Sequence, residues 1–124
     1  MPHLTLEYSR NLTDFDADAT LVAINQAMAD SGLFGEPDIK SRAIGFDHFR
    51  IGTADLPRSF IHVRIALLSG RSPEDRKRLA DGVLAALTAA VHGQKTAKTG
   101  MELQLSVETT DLDRPSYAKA VLNG

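Results

Sequence analysis

The groups best suited to chemistry in this sequence are a proline directly behind the first methionine and a few cations beside turns. Pro2 follows Met1. A methionine followed by a small residue is a usual substrate for removal, and its loss leaves a free prolyl nitrogen. That nitrogen is a secondary amine, whereas behind Met1 it is an amide with no basic lone pair. An α-amino group ionises near ~7.7–8.0 in the open, and burial or nearby cations lower that value by disfavouring the charged form. The product is a general base matched to neutral pH. Taken alone, a Met-Pro start is commonplace.

The cations come next. Arg71 immediately precedes Ser72 at a helix start, and a guanidinium beside open backbone N–H groups suits a carboxylate. Lys40 and Arg42 stand two residues apart, on one face of an extended segment. Each by itself is an ordinary surface cation. His3, His48, His62 and His92 fall in no metal-ligand spacing, and there is no phosphate loop and no G-x-S-x-G. The sequence has no cysteine, which excludes disulfides, thiolate metal sites and thiol catalysis.

These groups need elements to position them. Leu4, Leu6 and Tyr8 alternate with His3, Thr5 and Glu7, the period of a half-buried strand. Asp14, Asp16 and Asp18 supply N-cap candidates for a helix with Leu21, Ile24, Ala27 and Met28 on one stripe. Gly32 stops it as a C′ glycine. A second strand opens at Ile39 and is expected to reach Ile51, before a turn-rich break from Gly52 to Pro57. The order then repeats. Phe60 to Leu67 alternates, with Ile61, Val63, Ile65 and Leu67 on the apolar face. Ser72-Pro73-Glu74-Asp75 is a strong helix start, leading to Leu79, Val83, Ala86, Leu87 and Ala90 and a stop near Gly93. Met101 to Val107 alternates again, and an irregular tail follows.

The reading is one α+β domain over residues 1–124, built from two β-α-β units at about 1–57 and 58–124. Each unit favours a right-handed parallel crossover. The strand faces opposite the apolar ones carry His3, Thr5, Glu7, His62, Arg64, Glu102, Gln104 and Ser106. Two arrangements satisfy that pattern: a sheet with one solvated face, or a polar face enclosed in an oligomer where Glu7 and Arg64 could pair. Hydrophobic residues at 43%, charged residues at 24% and a net charge of −2 describe an ordinary soluble chain with no general attraction for nucleic acid or anionic membrane. No apolar run nears the ~20 residues of a membrane span, and with neither a basic region nor an apolar stretch at the start, no signal peptide is expected. The expected location is the cytoplasm.

Met1-Pro2-His3, Ser31-Gly32-Leu33-Phe34, Ile39-Lys40-Ser41-Arg42, Phe60-Ile61-His62-Val63, Gly70-Arg71-Ser72 with Glu74 and Arg76, and Leu105-Ser106-Val107-Glu108 carry a further signal. In order and spacing they resemble the tautomerase superfamily, most closely its 5-carboxymethyl-2-hydroxymuconate Δ-isomerase branch. No single piece is diagnostic, but the likeness spans nearly the whole chain. The position matching Lys40 can hold arginine in that branch, and lysine brings the charge without the bidentate fork.

The resemblance implies a β-α-β-β-α-β protomer with a four-stranded mixed sheet, two helices on one face, and assembly as a homotrimer with polar sheet faces inward. It implies a cofactor-independent and metal-free isomerase of aromatic-acid catabolism. The substrate would be an unsaturated dienol di- or tricarboxylate, with Pro2 as the base and Arg42, Arg71 and Lys40 binding carboxylates. One site per chain is expected, because the second unit begins inside the chain and offers no free prolyl amine. The alternatives are a tautomerase of another substrate, phenylpyruvate- or 4-oxalocrotonate-type, or a non-catalytic trimeric binding protein of the same fold.

Overall fold

The computed structural model of the chain describes residues 1–98 and 100–124, with side chains for all of these but 97 and 98. Strand β1 (His3–Ser9) leads through helix α1 (Ala17–Asp30) to β2 (Lys40–Phe46); β3 (Arg58–Leu68) leads through α2 (Pro73–His92) to β4 (Glu102–Leu112). The sheet order is β2-β1-β3-β4. Strands β1 and β2 are parallel, as are β3 and β4, while β1 and β3 meet antiparallel at the centre. Both β-α-β units therefore make the parallel crossover that their patterns predict.

The alternation decides which face is covered. Leu4 and Leu6 stand opposite Ile65 and Val63, and all four are fully buried with Ile61 and Leu67. Ile24 and Met28 of α1, and Leu79, Val83, Leu87 and Val91 of α2, close over them in one cluster. Both helices thus lie on one face, α1 over β2 and α2 over β4. Each fully buried aliphatic side chain contributes ~1.5–3 kcal/mol, so truncating any of them costs more than any exposed ion pair supplies.

The helix ends follow the local signals. Asp16 is the N-cap of α1, its carboxylate accepting from the Ala19 N–H at 3.0 Å. Gly32 follows the C-cap Ser31 with φ +75°, a conformation that L side chains rarely adopt. Ser72 caps α2 by accepting from the Asp75 N–H at 3.1 Å, with Pro73 in the first turn. The inward stripes differ slightly from expectation. Thr20 joins Ile24 and Met28, its hydroxyl satisfied by the Asp16 carbonyl at 2.7 Å, and Val91 joins the α2 set.

Two strand lengths depart from the sequence pattern. Strand β2 stops at Phe46, well short of Ile51, because β1, its neighbour in the sheet of described residues, ends at Ser9, the residue paired with Phe46. Strand β4 runs on to Leu112 through the polar stretch Glu108–Asp111, because β3 continues beside it to Leu68. Pairing with a long neighbour overrode side-chain polarity.

On the open face, Glu7 and Arg64 do not pair with each other within one protomer among the described residues. Register sets Glu7 beside His62 and Arg64 beside Thr5. Arg64 instead pairs with Glu108 at 3.5 Å, and His62 bridges Glu108 and the Ser106 hydroxyl. The Glu108 carboxyl is held below its usual range, first by the hydrogen bond from His62 and then by the charges of His62 and Arg64, with partial burial opposing. A depressed folded-state value stabilises fully above the ordinary carboxylate range and is lost as pH falls through the folded value. Glu108 is 41% exposed, so screening limits the effect to at most about 1 kcal/mol. Glu108→Gln should therefore lower the melting temperature at neutral pH, with the gap to wild type closing as the medium turns acid. A gap unchanged down to acid pH would contradict this account.

Candidate active site

The site is built around the second residue of the chain. The Lys40 N–H donates to the Pro2 carbonyl at 3.2 Å, extending the β1–β2 ladder one step beyond His3. Alternation sets Pro2 on the side of Leu4 and Leu6, and it is fully buried. Met1 lines a cavity of about 430 Å³ together with Leu33, Phe34 and Gly35 after α1, Asp38, Leu68 at the end of β3, and Arg71 beyond it. Arg114, Tyr117 and Lys119 from the segment beyond β4 complete it.

Arg71 is held firmly. Its guanidinium donates to the Leu33 carbonyl at 2.8 Å and lies over the Phe34 ring, 5.1 Å from the centroid. Gly70, with φ +110°, makes the turn that aims it there. The α2 start beside it is already satisfied by the Ser72 hydroxyl and by Glu74 and Asp75 in its first turn. Arg71 itself lines the cavity at the amino terminus. Only one of its five N–H donors is committed to Leu33.

Lys40 donates from Nζ to the Asp38 carbonyl at 2.7 Å, and Lys119 pairs with the Asp38 carboxylate at 2.8 Å. The Met1 amino group is held below its ordinary value, foremost by burial and then by Lys40, with Lys119 and Arg71 adding to this and Asp38 opposing. That amino group stands one residue outward from the Pro2 nitrogen.

Arg42 lies elsewhere. It is paired in register with Thr5, on the sheet face opposite Leu4 and Leu6, and does not line the cavity. Its Nη2 is 2.8 Å from His3 Nδ1. A guanidinium only donates, so Nδ1 accepts and the ring proton sits on Nε2, 3.4 Å from the Tyr117 hydroxyl. Burial, then Arg42 and Lys40, hold the His3 pKa below its usual value. The structure thus places Arg71 on the cavity beside the amino terminus, sets Lys40 near that terminus without lining the cavity, and leaves Arg42 beside His3.

The second unit repeats the backbone without the chemistry. The Glu102 N–H donates to the Pro57 carbonyl at 3.1 Å, just as Lys40 does to Pro2. Pro57 is the register equivalent of Pro2, but it is exposed and its nitrogen is an internal amide. Sequence reasoning missed Asp38, Arg114, Tyr117 and Lys119. The available signal was two cations and a tyrosine within six residues after the last alternating strand.

A mixed sheet of this order, flanked by two helices and carrying a buried proline at the head of an inner strand, defines a protein of the tautomerase fold. A 5-carboxymethyl-2-hydroxymuconate isomerase from Deinococcus radiodurans R1 is similar at 28% identity and TM-score 0.84, over 96% of this chain and 88% of that one. A 5-carboxymethyl-2-hydroxymuconate delta-isomerase superposes at TM-score 0.72 and 21% identity, over 100% and 89%. The wild-type Q0 fused 4-OT, a symmetric trimer, does so at 0.69 and 17%, over 95% and 91%. No curated protein matches the sequence. The chain belongs to the 5-carboxymethyl-2-hydroxymuconate isomerase family, whose model matches residues 2–122. It is an isomerase-family chain of the tautomerase fold.

Arg71→Ala removes a cation from the cavity together with the contacts to Leu33 and Phe34. The expected result is a kcat/KM reduced by roughly 10–150-fold, from a charge-assisted bond of ~1.5–3 kcal/mol. A lower melting temperature should accompany it, because those contacts tie the end of α1 to the start of α2. Arg71→Lys should restore part of the activity but not the planar contact. Unchanged kcat/KM in Arg71→Ala would remove Arg71 from the site.

Proposed function

We propose that the chain moves a proton within an unsaturated dienol di- or tricarboxylate of the 5-carboxymethyl-2-hydroxymuconate type, with the Pro2 amine as base after loss of Met1. The observation that carries this is the burial of Pro2 directly behind Met1, which lines a cavity together with Arg71, Arg114 and Lys119. Removal of Met1 frees the space that its side chain occupies and turns the Pro2 nitrogen into an amine among the same charges. Neutral Pro2 takes the enol hydroxyl proton, and the resulting dienolate is reprotonated at a distant carbon. Arg71, assisted by Lys40, holds a carboxylate and stabilises the negative charge that grows on the carbonyl side. Arg42, on the other face, serves a site only where a neighbouring subunit is brought against it. The conjugated substrate spreads the charge itself, so the reaction uses no cofactor. Such a step belongs to aromatic-acid breakdown in the cytoplasm.

The same reading includes a homotrimer. It is supported by the symmetric-trimer state of the similar fused 4-OT structures and by the open sheet face with its Glu108 network and Ile44, 51% exposed. Sedimentation should give three times the protomer mass at micromolar concentration. A stable monomer would count against the trimer without touching the base.

Intact-mass analysis of active protein should show loss of Met1; full retention in active protein would end the amine mechanism, whereas full retention in inactive protein would favour a binding role. A neutral amine is the competent form, so kcat/KM should rise with pH to a plateau. A base of this kind contributes ~10²–10⁴-fold. Pro2→Ala keeps an amine, so it should lose only part of that and move the acid limb of the profile. An unmoved limb would argue against Pro2. Dienol substrates with and without the carboxymethyl arm then separate the named reaction from a 4-oxalocrotonate-type one.

A further inference from the structure

After Leu112 the chain turns through Arg114–Ser116 and runs back across the end of the sheet where β1 begins. Three anchors hold it there. Arg114 donates from its backbone N–H to the Ser69 hydroxyl at 3.1 Å and from Nε to the Ser69 carbonyl at 3.0 Å. The Tyr117 hydroxyl lies 3.4 Å from His3 Nε2, and Lys119 reaches Asp38 at 2.8 Å. Two of the three cations lining the cavity, Arg114 and Lys119, therefore arrive on this strap.

Among the described residues that line the cavity, Asp38 is the sole carboxylate. Unpaired, it would oppose both tasks of the site: it would favour the protonated amine and repel an anionic substrate. The charged and titratable groups around the amino end are Lys40 on β2, Asp38 before it, His3 on β1, Arg71 after β3, and Arg114, Tyr117 and Lys119 on the strap. Of these, only Lys119 has its ammonium on the Asp38 carboxylate; Lys40 uses the Asp38 main-chain carbonyl.

We propose that Lys119 is a positioning residue of the active site: delivered by the strap onto Asp38, it cancels the negative charge at the cavity mouth, keeping the amine neutral and the mouth receptive to carboxylates. The inference rests on Pro2 as base. The titration behaviour agrees with the geometry. Hydrogen bonding and charge from Lys119 hold the Asp38 carboxyl below its usual range, and Asp38 raises the Lys119 ammonium above its own. At the amino terminus the two residues act with opposite sign, Asp38 raising and Lys119 lowering its pKa.

The test is a double-mutant cycle on protein lacking Met1, using a dienol dicarboxylate and pH profiles of kcat/KM. Lys119→Met should move the acid limb to higher pH and raise KM by roughly two- to fivefold, the scale on which one half-exposed charge acts. The KM effect should shrink at high salt. Asp38→Asn keeps the main-chain carbonyl for Lys40 and should move the limb to lower pH. The combined variant should return the limb toward its wild-type position, and Lys119→Arg, which keeps the charge, should hold it there. A Lys119→Met limb that coincides with wild type, or a double variant no different from Lys119→Met, overturns the proposal. If Lys119→Met misfolds, Asp38→Asn and Lys119→Arg still decide it, since a limb unmoved in the first or displaced in the second defeats the charge argument. Failure of the base assignment is distinguishable, because Pro2→Ala would then leave the limb unmoved as well.

Discussion

The hydrogen bond from the Lys40 N–H to the Pro2 carbonyl is the constraint on which the rest depends. It makes the second residue of the chain the last rung of a parallel ladder between β1 and β2. Chain ends ordinarily fray unless tied into an element. Here the tie places Pro2 on the covered side of an inner strand, where Leu4 and Leu6 continue the same face. A proline costs nothing at this rung, since only its carbonyl is needed there. The same bond draws the start of β2 close enough for Lys40 to act on the amino terminus.

Once the terminus is anchored, its surroundings follow from where other elements end. Helix α1 stops at Gly32, so Leu33 and Phe34 fall at the rim and accept Arg71. Strand β3 stops at Leu68 and Gly70 turns the chain, so Arg71 arrives from the opposite side. The cavity is thus a meeting of element ends: among its described lining residues only Leu68, the last of β3, belongs to a strand.

The internal repeat sharpens this point. Pro57 repeats the Pro2 carbonyl contact at the head of β3, and Asn11, after β1, lines the pocket beside it. Asn11 donates to the Arg58 carbonyl at 2.8 Å and brings no charge. Arg50 and Arg58 line the pocket around Pro57, so the two similar backbones differ not in nearby cations but in burial and place along the chain: Pro2 is fully buried at the second position, whereas Pro57 is exposed and internal. Backbone geometry alone does not make the site.

The sequence by itself determined the element order, the inward-facing residues and both helix starts. These are local properties: Leu4, Leu6, Ile61, Val63 and Ile65 alternate with the period of a strand, and Ser72-Pro73 sets a helix start through its own backbone needs. It also singled out Pro2 and Arg71 as candidates, because a proline behind the first methionine and an arginine before a helix start are readable as residue types and positions. The tertiary structure decided the rest. It ended β2 at Phe46 and carried β4 through to Leu112, since hydrogen-bond pairing depends on the neighbour's length. It sent Arg42 to the face away from Pro2 and directed Arg71 toward Leu33 and Phe34. It also brought Tyr117 and Lys119 across more than a hundred positions to His3 and the amino terminus. No periodicity encodes such contacts, because they join irregular segments whose positions are set only when the sheet closes and their ends come together.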